Sequence, residues 1–437
     1  MFAEASIGQS LTRRLFSPMA VLLYVYAVYF MVGLSRIYEY VYWELMNLGL
    51  RMIGFQPTVH TVLLYVYAGA VLVLGFLIGS ALADRATLSP GRGQARSRWP
   101  HDLRSRILAL PVVRRVGLGF LASLIGWSVA IGANVLQVMS SGRVSLFDIA
   151  TRWGQSPALV FLAALNIIFV PALFVFARTR WHWVIAGAAF VASAGGLTLL
   201  GARHLPAKLL VASFLALAFV MKERHIVRAA LGFLAMLVLA MGVIGAVSKA
   251  GIYGPTATGE LAVALSYADS AGTTYNLDRI VRMTPPTGIY GGRLLRDSAL
   301  ALVPGVDAEY ANYQLGRYLG GREYFDIDGV LIQRSVSLAP TLIGAPYADW
   351  GVPGVVGQML LLGILFGVLQ ARARHARWLI PVYVATASYV INGVNAGIHN
   401  PNAIAYLALA LCVAVADLAI VRRAPELYAV PESKEQS

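Results

Sequence analysis

Four arginines punctuate residues 279–296 of this 437-residue chain, RIVRMTPPTGIYGGRLLR, as the pairs Arg279/Arg282 and Arg293/Arg296. Residues three apart share a face on a helical turn. A guanidinium fork grips phosphate or carboxylate oxygens through parallel N–H bonds. Pro285-Pro286 and Gly291-Gly292 lie between the pairs, so a turn there would bring both around one anion. The same spacing suits ion pairs with Asp278 and Asp297, which abut the arginines, and both readings stay open. A second stretch, SGRVSLFDIATRWGQSP (141–157), adds Arg143 and Arg152 around Asp148. These are either part of the same anion site or headgroup anchors.

Proton transfer needs a base within reach of the proton it removes. Asp307, Glu309, Glu323, Asp326, Asp328 and Asp349 are the nearby carboxylates, Glu309 and Asp349 foremost. His399, in NAGIHNPN (395–402), offers a neutral imidazole that could take a proton from a hydroxyl. The competing readings are carboxylates that are solvated or paired with arginine, and a structural histidine. His60 and His204 have no suggestive neighbours. REYFDIDG (322–329) carries a fragment of a calcium-loop pattern without its remaining ligands. No metal and no cofactor are therefore expected. The single cysteine, Cys412, excludes a disulfide framework or cysteine metal site within one chain.

The elements around these residues are bilayer-like. Hydrophobic residues make up 58% of the chain and charged ones 13%, where a soluble domain carries roughly a quarter charged. Apolar runs at 18–34, 59–82, 117–139, 157–177, 183–200, 207–221, 229–247, 351–370, 378–394 and 402–421 approach the ~20 residues that cross a ~30 Å core. Each must be helical, because lipid offers open backbone groups no partner. The expectation is an all-α polytopic membrane protein of about ten spans. The first span follows Arg13-Arg14 without a small-residue cleavage site and reads as a retained signal-anchor.

With the N-terminus inside, the basic residues of the short connections fall on one side: Arg85 to Arg115, Arg178/Arg180, Lys222 to Arg228, Arg372 to Arg377, and Arg422-Arg423. That is the positive-inside pattern, and it places both termini in the cytoplasm. The net charge of +14 then records insertion and contact with anionic membrane lipids, not nucleic-acid binding. The organisation is 1–247 with seven spans and a basic cytoplasmic loop at 83–116, an outside loop at 248–350, three spans at 351–421, and a tail at 422–437. The long loop is rich in Tyr, Pro and Gly, which suggests an ordered cap with short helices near 260–268, 294–301 and 307–319. Few ionisable residues lie within the spans, which argues against an ion-coupled transporter, and no internal repeat is visible.

SLAPTLIGAPYADWGVPGVVGQMLLLGILFG (337–367) leaves the long loop with Ile343-Gly344, Tyr347, an aromatic before Gly351, then glycine-spaced span. Together with the overall layout, it resembles the Wzy-type polymerases of oligosaccharide repeat units. An Arg-X10-Gly pattern described in that group is matched by Arg143 to Gly154; Arg279 to Gly291 and Arg293 to Gly305 are one residue longer. The related O-antigen ligases carry a His-Asn pair roughly where Ala339 and Pro340 stand here, which favours the polymerase. The resemblance implies a GT-C-like membrane glycosyltransferase of the bacterial inner membrane. Its donor and acceptor would be undecaprenyl-diphosphate-linked oligosaccharides, joined at the periplasmic face into O-antigen, capsule or exopolysaccharide. A chain-length regulator and a flippase of the same pathway are the implied partners.

On this reading Arg279, Arg282, Arg293 and Arg296, supported by Arg143, contact diphosphate or glycan, with Tyr347 beside them. The base comes from Glu309, Asp349 or His399. The alternatives are a ligase-type glycan transferase and a glycolipid transporter or flippase. A flippase should carry its cationic groups across the spans, whereas here they cluster in loops.

Overall fold

The computed structural model describes residues 11–34, 57–87, 121, 125–126, 164–199, 204–223, 225–233, 273–303, 306, 308–320, 322–327, 330–335 and 339–423. Within them the chain is helical apart from one β-hairpin. Eight of the ten expected spans meet described helices, Pro18–Leu34, Val59–Thr87, Asn166–Phe176, Arg180–Leu199, His204–Val220, Gly344–Ala373, Leu379–Ala396 and Pro401–Arg423; the runs expected at 117–139 and 229–247 lie largely outside the described residues. Of the described helices, four are long and apolar enough to cross a membrane: Val59–Arg85, Gly344–Ala373, Leu379–Ala396 and Pro401–Ala419. The protein is a multi-pass membrane protein.

Val59–Thr87 shows why. Leu64, Ala68 and Leu72 on one face are buried, while Leu63, Val66, Leu74 and Leu77 are exposed and equally apolar. A helix that is hydrophobic all round is covered by lipid or by protein.

This helix and Gly344–Ala373 form the tightest pair. A Cβ on Gly79 would sit 2.2 Å from the Ile364 carbonyl oxygen, and one on Gly367 equally close to that of Phe76. Gly75 with Gly79, and Gly363 with Gly367, repeat at four-residue spacing on the facing surfaces. In a bilayer, where apolar burial gives helices little reason to associate, backbone-close packing of small residues supplies the attraction. Pro18–Leu34 joins through Tyr26 and Tyr65, each hydroxyl donating to the other residue's carbonyl at 2.7 and 3.0 Å. Leu379–Ala396 is the central helix, packed against Pro18–Leu34, Asn166–Phe176, His204–Val220 and Pro401–Arg423. A buried ion pair, Arg372 to Asp417 at 2.6 Å, ties the ends of two helices.

Between the apolar helices lies the cap: a helix ending at 283, Arg293–Leu300, Ala311–Gly320, and strands Arg322–Ile327 and Val330–Ser335. The strands pair antiparallel with Ile327 opposite Val330. The all-α expectation therefore needs correcting at this hairpin. Of the residues read as a calcium-loop fragment, 322–327 form its first strand, and Asp328 and Gly329 lie outside the described residues. The two other expected cap helices fall at Arg293–Leu300 and Ala311–Gly320; the one near 260–268 lies outside the described residues, as does the basic loop beyond residue 87.

Candidate active site

The PPTGIYGG turn is bonded onto the start of the helix Gly344–Ala373. Ile289 and Tyr290 donate their N–H groups to the Ala348 carbonyl at 2.8 and 3.1 Å, and Gly291 donates to that of Asp349 at 2.8 Å. Val352 returns a bond to the Pro286 carbonyl at 3.2 Å. The helix breaks here at Gly351, with φ 66° and ψ −148°, a conformation open essentially to glycine alone. Any Cβ at Gly351 would lie 1.6 Å from the Pro286 oxygen. The break lets residues 344–350 turn aside from the membrane-crossing stretch and receive the arginine-bearing loop.

Asp349 secures the next element. Its carboxylate accepts the N–H groups of Leu294 at 3.0 Å and Leu295 at 3.1 Å. These are orphan donors at the first turn of Arg293–Leu300, whose own N-cap, Gly292, has no side chain to offer. Asp278 does the same for Val59–Thr87, accepting from the Thr58 N–H at 2.7 Å and from the Thr58 and Thr61 hydroxyls at 2.8 and 2.7 Å. Burial pushes the Asp278 carboxyl up, but the bonds from Thr58, Thr61 and Arg282 outweigh it and hold it below the usual range.

His399 packs behind Asp349. The Gln358 amide nitrogen donates to the Leu342 carbonyl at 2.7 Å, which turns its oxygen toward His399 Nε2, 2.8 Å away. Nε2 must then be the protonated nitrogen. Nδ1 is left as a lone pair facing Asp349 Oδ2 at 3.7 Å, with no hydrogen bond of its own. Ser298 donates to the His399 carbonyl at 2.7 Å. Burial pulls the imidazole down to about 4. His399 and Asp349 are 2% and 1% exposed, so neither meets a substrate in this conformation.

The arginines lie on the surface. Arg282 pairs with Asp278; Arg293 and Arg296 share Asp297 at 3.3 and 2.9 Å. Side-chain exposures of 55%, 64% and 66% leave all three open to a ligand. Arg279 is half-buried and has no carboxylate partner among the described residues. Burial pushes Asp297 up, but bonds from Gln314, Arg296 and Arg293 hold it below the usual carboxyl range. Beside Arg293 is an open depression of about 360 Å³ lined by Tyr290, Arg293, Glu309, Gln314 and Tyr318.

Exposed guanidinium groups, a carboxylate and tyrosines thus gather on a cap fastened to the head of an apolar helix. A family model described as O-antigen polymerase matches residues 14–407. The chain belongs to the O-antigen polymerase family. No curated protein and no solved structure matches it. As a member of that family it is a glycosyltransferase-like polymerase of polysaccharide biosynthesis.

Within the polymerase, the structure brings together Asp349 with His399, and Arg293 with Glu309. Arg282 pairs with Asp278, and Arg293 and Arg296 both pair with Asp297. Tyr347 is 1% exposed, its ring edge-on to His60 at 6.3 Å, away from the depression. Arg143 lies outside the described residues, with Arg152, Asp148 and Asp307. Gln358, Ser298 and Thr341 carried no signal in the sequence. Thr341 adopts φ 59° and accepts the Gly344 N–H on its hydroxyl at 2.9 Å, while its own N–H bonds the Asn395 carbonyl at 3.2 Å. Among the described residues no three metal-ligating side chains cluster.

Proposed function

We propose that this polymerase joins undecaprenyl-diphosphate-linked oligosaccharide repeat units at the periplasmic face of the inner membrane. One observation supports this above the others. The arginine-bearing segment 279–296 is bonded to the Ala348–Val352 stretch, in the first turns of the apolar helix Gly344–Ala373. Guanidinium groups so placed meet a lipid diphosphate at the depth of its headgroup. The positive-inside pattern puts this end of the helix outside and both termini in the cytoplasm.

In the reaction, an acceptor sugar hydroxyl attacks the anomeric carbon of the donor glycan. The bond from that carbon to the diphosphate oxygen breaks, and its electron pair leaves with the undecaprenyl diphosphate. Arg279 and Arg282 stabilise the charge that develops there. The acceptor's proton passes to Glu309, whose residue lines the open depression. Asp349 and His399, both enclosed, act as positioning residues: one caps the arginine-bearing helix, the other orients Gln358. Holding two lipid-tethered substrates in register supplies much of the remaining rate.

The test is turnover of the purified lipid-linked repeat unit by the Arg279→Ala/Arg282→Ala protein. Removing such donors costs on the order of 100-fold or more in rate. A pair variant that elongates at the unmodified rate would overturn the diphosphate role of this segment.

A further inference from the structure

The depression beside Arg293 differs in kind from the arginine surface around it. Two of its walls are aromatic: Tyr290 and Tyr318 meet edge to face, ring centroids 6.1 Å apart and planes at 77°. Tyr318 is 46% exposed, a large apolar ring held in the open. Its hydroxyl donates to the Met283 carbonyl at 3.3 Å, and that of Tyr290 to the Gln314 carbonyl at 3.5 Å. Both rings are therefore fixed at their tips, and Tyr318 keeps its ring in the open.

The polar wall is also set in place. Gln314 uses both amide N–H groups, one to Asp297 at 2.9 Å and one to the Glu309 carbonyl at 2.7 Å, so its amide oxygen is oriented as an acceptor. Arg293 engages Asp297 through Nε alone, and its two terminal nitrogens keep a donor fork. The formal charges cancel: Arg293 and Arg296 against Asp297 and Glu309. A doubly charged diphosphate gains little in such a place. A neutral ring with an apolar face and a rim of hydroxyls suits it.

We propose that this depression is a saccharide subsite that holds one pyranose ring of the acceptor glycan, stacked on Tyr318, with vicinal hydroxyls on the Arg293 fork and Gln314 Oε1. The proposal rests on the polymerase reading above and deepens it. It moves Arg293 from the diphosphate to the sugar, and it places the acceptor next to Glu309. The C–H face of a pyranose carries partial positive charge and complements the negative face of an aromatic ring. A volume near 360 Å³ lies within the range of small-ligand sites and accommodates a sugar ring but not a whole repeat unit. The rest of the glycan would extend from the open side.

The experiment is equilibrium binding to the full-length protein in nanodiscs, with two separate probes. One is the lipid-free oligosaccharide released from the native repeat unit; the other is undecaprenyl diphosphate without sugar. Tyr318→Ala and Arg293→Ala should each weaken oligosaccharide binding about tenfold or more and leave undecaprenyl diphosphate binding within about twofold. Tyr318→Phe, which keeps the ring, should bind the oligosaccharide as the unmodified protein does. That control separates a lost stacking surface from a misfolded cap. Equal oligosaccharide affinity in Tyr318→Ala and the unmodified protein would overturn the subsite, as would an Arg293→Ala loss confined to undecaprenyl diphosphate. A protein that elongates lipid-linked units yet binds no lipid-free oligosaccharide at millimolar concentration would also remove the subsite, while the polymerase reading stands. Failure to elongate at all would instead strike that reading.

Discussion

Replacing Asp349 tests whether one buried carboxylate holds the arginine-bearing helix in place. Asp349→Ala removes the acceptor of two backbone N–H groups, those of Leu294 and Leu295. A buried donor left unpaired costs about 1–3 kcal/mol. Leu294 is fully buried and belongs at the top of that range; Leu295 is 37% exposed and belongs at the bottom. The sum is about 3–4 kcal/mol, or a rise of several hundred-fold in the population of the opened cap. Asp349→Asn keeps one acceptor and can turn its amide toward His399 Nδ1, so it should fall between. The assay is amide hydrogen exchange by mass spectrometry in nanodiscs, because local opening is read segment by segment. Peptides covering 293–300 should exchange several hundred-fold faster in Asp349→Ala, while those covering 67–80 and 360–367 stay protected by the glycine-packed helix pair. Unchanged exchange across 293–300 would show that Asp349 does not hold this helix and return it to the set of candidate bases.

Other perturbations separate structural from electrostatic roles. Asp278→Ala should cost about 3 kcal/mol, since it orphans donors at the start of Val59–Thr87. Arg282→Ala, an exposed ion-pair partner, should cost at most about 1 kcal/mol while lowering turnover; denaturation midpoints and elongation rates measured together distinguish them. His399 is held down to about 4 by burial, against about 6.5 unfolded. Between these values the unfolded chain binds more protons, so the contribution of His399 to stability rises with pH from 4 to 6.5 by about 3 kcal/mol and is constant above. Urea midpoints across that window should lose this slope in His399→Gln. Gly79→Val drives a side chain into the Ile364 backbone and should abolish monodisperse protein by size exclusion. Gly187→Ala, with nothing within 4 Å of its Cβ, should behave as unmodified.

The parts of the fold legible in the sequence were those governed by local composition. The apolar runs at 18–34, 378–394 and 402–421 fall within two residues of their helices at both ends. Gly351, read as the start of a span, is where the long helix breaks. Arg293–Leu300 differs by one residue at each end from the expected 294–301. Pairings across the chain were not legible. Asp349 meets a helix start 55 residues away, and Asp278 meets one 217 to 220 residues away. A carboxylate that caps a distant helix looks in sequence like any free carboxylate. His399 resembled an accessible loop histidine because the residues enclosing it, Ser298, Gln358 and Asp349, arrive from elsewhere. The hairpin had a local signal, Asp328-Gly329 between alternating apolar residues, but its acidic positions drew attention to metal ligation instead.

Polymerisation is tested most directly by reconstituting the purified protein in nanodiscs with its native undecaprenyl-diphosphate repeat unit, without nucleotide sugar and with excess chelator, the products resolved on a gel. A ladder of multimers is expected, and it disappears in the Arg279→Ala/Arg282→Ala protein. A single unelongated band, from protein shown to be folded and to bind that lipid-linked unit, would contradict polymerisation.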